Sequence, residues 1–171
     1  MELLTRCAEF TLGHSEKIHG RVQGKFKTSS RTPLVNTARL IRLQAAVLSV
    51  GMFSIFEAML QDQMSWEKEA FEKLNRHFNQ NENAELARTF DNYRLAINVL
   101  NHGRGHSYNQ LVERKSELEF KIKGLNEDFF FEGDISEVNI LVDADGIFAR
   151  RCAALIEEVA ALINNTSPNQ P

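Results

Sequence analysis

The chain has 171 residues, enough for one domain to bury a core without disulfide or metal staples. Hydrophobic residues make up 43% and charged residues 25%, which excludes wholesale disorder; three prolines and nine glycines are too few for the tight turns of an all-β sandwich. Twenty Lys and Arg against 23 Asp and Glu give a formal net charge of -3, which excludes a histone-like nucleic-acid binder but leaves room for a local basic patch.

Glu2 to about His19 reads as a moderately amphipathic helix, with Leu3, Leu4, Cys7 and Phe10 on helical spacing. Glu2, Arg6 and Glu9 interrupt the start, so no signal peptide is expected there. Gly20 to Thr32 carries Gly and Ser without apolar periodicity and reads as a loop. Thr32 and Pro33 then open a long helix, Thr as N-cap and Pro in the first turn, running to about Gln63. Within it, Leu43 to Phe56 has no charge, yet falls short of the roughly 20 apolar residues of a membrane span, so it reads as the buried central helix of a bundle.

Trp66 to Phe78 continues the helical pattern through Phe71 and Leu74 until the polar run Asn79 to Asn83, where Asn79 and Glu82 have capping-box spacing. The helix from about Glu82 to His102 carries one apolar stripe, Leu86, Phe90, Tyr93, Ile97 and Leu100, flanked by Asp91, Arg94, Asn98 and His102. Gly103 suits a left-handed stop, and Ser107 with Gln110 has the spacing to open another helix after a His-Gly-Arg-Gly-His turn. Ile135 to Val142 alternates weakly and reads as extended. Asp143 caps a last helix from Ala144 to about Ile163, with Ile147, Leu155, Ile156, Val159 and Leu162 on its apolar side. The expectation is one all-α domain over residues 1–163 with a disordered tail at 164–171.

Three places carry chemistry. At the helix end, His102 can move a proton of an RNA 2′-hydroxyl or of the leaving oxygen, while a nearby guanidinium offsets phosphate charge; no metal is required. The plainer alternative is a His that caps its helix beside a solvated Arg104. From Lys17 to Arg42 seven basic residues occur without an acid, which suits RNA, or equally a solvated segment balanced by Glu127, Asp128, Glu132 and Asp134. Glu57, inside the most apolar helix, needs a partner, and Arg94 is one candidate.

No cofactor or metal site is read. Glu16 and His19 have ExxH spacing but no second ExxH occurs, the five histidines give no HExxH, Asp143 and Asp145 do not continue into an EF-hand loop, and there is no phosphate-binding loop. Cys7 and Cys152 form no CxxC pair, which fits a reducing cytoplasm.

The segment AINVLNHGRGHSYNQL (Ala96 to Leu111), preceded by a long apolar helix ending SIFEAMLQ (Ser54 to Gln61), resembles the HEPN superfamily of small all-α domains, over the core from about Thr37 to Leu118. The resemblance implies a four- to five-helix bundle that forms a homodimer across a cleft. It implies a metal-independent endoribonuclease of toxin–antitoxin or antiphage type, with RNA and an antitoxin or operon partner. His102 matches the motif histidine and Asn98 the polar residue near it. The motif arginine would fall on Leu95, Ala96 or Ile97, so Arg94, one residue earlier, or Arg104, just after the His, is left to supply the guanidinium. The alternative is a non-catalytic HEPN module binding RNA or a partner protein. A di-metal carboxylate bundle is a more distant third.

Overall fold

The structure, a computed structural model, describes residues 2–26, 32–66, 69–80, 83–125, 127 and 141–166, with side chains left undescribed at 15, 16, 18–26, 32–39, 75, 77, 79, 80, 165 and 166. The described residues are all-α: α1 (Glu2–Phe26), α2 (Thr32–Met64), α3 (Ala70–Gln80), α4 (Ala84–His102), α5 (His106–Glu113) and α6 (Gly146–Thr166), with one 3-10 turn at Lys115–Glu117. They fall into two compact units, Met1–Met52 with Ala144–Pro171, and Phe53–Asp143.

In the first unit α1 lies against α6, and Leu12, Ala45 and Ala149 meet in a small core with Leu48 packed beside them. Small residues let the helices approach closely; of the polar groups enclosed in this unit, Thr5 Oγ1 of α1 has no hydrogen-bond partner among the described residues, whereas Ser49 is answered locally. Ser49 donates to the carbonyl of Ala45 at 2.8 Å and is hydrogen-bonded to the buried thiol of Cys152. Burial raises that thiol far above its ordinary range, with Ser49 only partly offsetting it. Cys7 is exposed, and both cysteines are free.

The second unit is organised around rings. Phe90 of α4 stacks on Phe53 at 5.6 Å and meets Phe56, Phe71 and Phe78 edge-on at 6.1, 5.3 and 6.2 Å. Tyr93, one turn on, packs edge-on against Phe120 at 4.9 Å. Such edge and offset contacts are the arrangements the ring quadrupole favours. Among the described residues an antiparallel bridge pairs Ile122 with Val142, where the weak alternation ending at Val142 predicts extended chain; residues 128–140 lie outside the described residues.

Several boundaries differ from expectation. The stretch from Gly20, expected as a loop, is helical to Phe26, because Gly weakens a helix without forbidding it and no Pro intervenes. The helix does not run through Trp66: Ser65 and Glu69 take left-handed conformations, φ 52° and 59°, which stop α2 and restart the chain at Ala70. α4 begins behind Asn83, not at an Asn79–Glu82 box. Ser107 lies inside α5, whose N-cap is Gly105. Asp145, not Asp143, caps α6, its carboxylate accepting from the Phe148 N–H at 2.9 Å; the amide of Asp143 donates instead to the Lys121 carbonyl at 3.0 Å. Ile147, expected in the apolar face, is 77% exposed, and Phe148 and Ala149 are buried in its place. α6 continues through Thr166, into the segment expected to be a disordered tail; residues 167–171 lie outside the described residues.

α2 is less enclosed than a central helix should be. Ala45, Ser49, Met52, Phe53, Phe56 and Leu60 are buried, while Leu40, Leu43, Val47, Ile55 and Met59 are exposed. By length and composition alone Leu40–Met64 could cross a membrane, with mean hydropathy 1.7 and a third of its most apolar window buried.

Candidate functional site

α4 presents four of the residues singled out by sequence, and the second unit distributes them between two different environments. The first is a cavity of about 170 Å³ lined by Phe53, Ser54, Glu57, Glu69, Phe71, Glu72, Arg94, Ile97, Asn98 and Asn101. The second is the turn that follows His102.

In the cavity Arg94 is already committed. Its Nε and Nη2 both donate to Asp91 Oδ1, at 3.1 and 2.8 Å, and Arg114 donates to Asp91 Oδ2 at 2.9 Å and to the side-chain Oδ1 of Asn92 at 3.2 Å. Burial by itself would raise the Asp91 carboxyl, but the hydrogen bonds and charges of Arg94 and Arg114 outweigh it and hold the group below the usual carboxylate range. This network ties α4 to the end of α5, where Arg114 is the C-cap. Arg94 does not take up Glu57, the partner expected from sequence. Glu57 is half-buried at the wall of the same cavity, where water can solvate it. Three carboxylates, Glu57, Glu69 and Glu72, against one guanidinium make the cavity unfavourable for a phosphate.

The turn has the opposite character. Gly103 adopts φ 73°, a conformation that L side chains rarely take, and its N–H donates to the Val99 carbonyl at 2.8 Å, ending α4 as expected. His102, Arg104 and His106 are all exposed. Arg104 lies over the ring of Tyr108 at 5.7 Å, and the buried Tyr108 in turn donates its hydroxyl proton to the Lys123 carbonyl at 2.8 Å. The Asn98 amide reaches Ser107 Oγ at 3.5 Å, a long contact joining α4 to α5. Asn98 therefore faces a hydroxyl of its own chain, where sequence placed it beside His102. The turn is fixed from below while both imidazoles stand in solvent, with no hydrogen bond, ion pair or ring contact among the described residues.

The structure leaves His102 and Arg104 both exposed at the turn, pairs Arg94 with Asp91 in place of Glu57, and adds the exposed His106, which the sequence reading did not take as a site residue. The Asp91–Arg94 spacing of three on one helix was available as a signal for that pair. Arg114, 23 positions beyond Asp91, gave none. Glu16, His19 and His77 lie outside the described side chains, as do most basic residues between Lys17 and Arg42. Among the described residues no group of three His, Cys, Asp or Glu is placed to hold a metal ion.

No family model matches this chain, and neither a curated protein nor a solved structure matches it.

Proposed function

We propose that this protein is a HEPN-like, metal-independent endoribonuclease of toxin or antiphage type, acting in the cytoplasm as a homodimer. The observation that carries the reading is the α4–α5 turn: exposed His102 beside exposed Arg104, held by Gly103, Tyr108 and the Asn98–Ser107 contact. His102 moves the proton of the ribose hydroxyl or of the leaving oxygen, and Arg104 offsets the charge that builds on the phosphate. Arg104 is preferred to Arg94 because Arg94 is spent on Asp91 and lines an acidic cavity. The exposed Leu40, Leu43 and Val47 of α2 supply apolar surface for the seam between two copies.

The commitment of Arg94 to Asp91 also supports a second reading, a non-catalytic module that binds RNA or a partner protein through the same turn. Cleavage of a mixed-sequence single-stranded RNA in EDTA, wild type against His102→Ala, separates the two. Metal-independent cleavage that the substitution abolishes is the expected result. RNA retained by a gel shift but not cut by either protein favours the binding module, and a monomeric elution profile at micromolar concentration counts against the dimer.

A further inference from the structure

We infer that His106 is the second proton-transfer group of this site, so that a single chain carries both the acid and the base of the cleavage step. The inference rests on the ribonuclease reading above. His102 is the last residue of α4 and His106 the first of α5. Four residues of chain place their Cα atoms within about 14 Å of each other, a span across which two imidazoles can serve the two reacting oxygens of one phosphodiester. Both are exposed, and neither is engaged by another described side chain. Neither imidazole is used to cap or tie a helix through another described residue, so both are free to meet a ligand from solvent.

The ionisable side chains on the two helix segments that flank the turn can be named. From Leu95 to Val112 the only other ionisable side chains are Arg104 and Tyr108, and the Tyr108 hydroxyl is taken by the Lys123 carbonyl. Glu113 closes α5 at its far end. α2, α3 and the chain between them bring Glu57, Glu69 and Glu72 to the cavity along α4, with Arg94 paired to Asp91 between them. An RNA phosphate is thus repelled from the cavity and met at the turn by one guanidinium and two imidazoles.

The step balances without a metal or a co-reactant. One imidazole, neutral, takes the proton of the ribose 2′-hydroxyl as O2′ forms its bond to phosphorus. The bond from phosphorus to O5′ breaks, and O5′ receives the proton of the other imidazole, entering as imidazolium. Arg104 offsets the charge on the non-bridging oxygens. The products are a 2′,3′-cyclic phosphate and a free 5′-hydroxyl, and proton exchange with water restores both histidines.

The test uses the whole chain, a fluorescent single-stranded RNA and EDTA, and compares wild type, His102→Ala, His106→Ala and His106→Asn. Circular dichroism checks that each variant is folded, and His106→Asn covers a failure of the alanine variant to fold. Wild type is expected to give a bell-shaped pH–rate profile and a cyclic-phosphate product. Each single variant should lose about 100- to 10,000-fold in rate and one limb of the bell, a different limb for the two positions. Added imidazole should restore part of the activity of His106→Ala, which a merely structural role would not allow. If folded His106 variants cut at the wild-type rate with an unchanged profile while His102→Ala is inactive, the inference fails and the ribonuclease reading stands. If wild type does not cut RNA, that reading fails and takes the inference with it.

Discussion

Asp91 does more for the local architecture than any residue singled out for chemistry. It accepts from Arg94 within its own helix and from Arg114 beyond α5, at 18% side-chain exposure. Asp91→Asn should therefore lower unfolding free energy by about 1.5–3 kcal/mol at neutral pH, the range for hydrogen bonds to charged groups, as read by urea denaturation. The sign with pH follows from the direction of its shift. The native carboxyl is held below its unfolded value, so its contribution is complete above about pH 4 and is lost as pH falls through the depressed native value. The difference in stability between wild type and Asp91→Asn should narrow on acidification through that window. Phe90 offers the apolar counterpart: it touches four other rings and is fully buried, so Phe90→Ala should cost about 3–5 kcal/mol in the same assay.

Between elements, two glycines of one turn should behave differently. A Cβ at Gly103 or Gly105 would meet nothing within 4 Å, so space does not distinguish them. Conformation does: Gly103 has φ 73°, whereas Gly105 has φ 176°, ordinary extended backbone. Gly103→Ala should cost about 1–3 kcal/mol and disturb the turn, while Gly105→Ala should be near neutral, both readable from thermal melts. The last helix allows a similar comparison, in which Asp145→Ala should lose about 1 kcal/mol of capping and Asp143→Ala should lose no cap. These pairs also show what was legible. α4 was found almost to the residue because its stripe of five apolar residues repeats over about four turns and Gly103 marks its end. The break before α3 was hidden because its left-handed residues are Ser65 and Glu69, types that give no warning of φ above zero. The turn was legible as a site because its members are adjacent in sequence. Arg94 misled because Glu57 drew attention away from Asp91, the partner three residues earlier on the same helix.

Over the whole molecule, helical class followed from scarce Pro and Gly and from long periodic segments, and the structure agrees. The division into two units was not legible, since no composition shift or linker marks residue 52 or 144 and the first boundary falls inside α2. The two cysteines offer a probe of one unit. Cys7, exposed, should react at once with a thiol reagent in the native protein. Cys152, buried with its thiol pushed toward the neutral form, should label only as fast as the protein opens, which urea should accelerate.

The connectivity of those units sets an order of events during synthesis. The unit formed by residues 53–143 is continuous, so it is complete as soon as its own stretch leaves the ribosome. The other is split: α1 and the first part of α2 emerge before it, but α6, against which α1 lies, emerges after it. α1 thus has to wait for α6 until the unit between them has been made, and this inverts the usual rule that the more N-terminal structure settles first. Throughout that wait, Ala8 and Leu12 of α1 have no α6 to cover them, a period in which a nascent-chain chaperone would find its target.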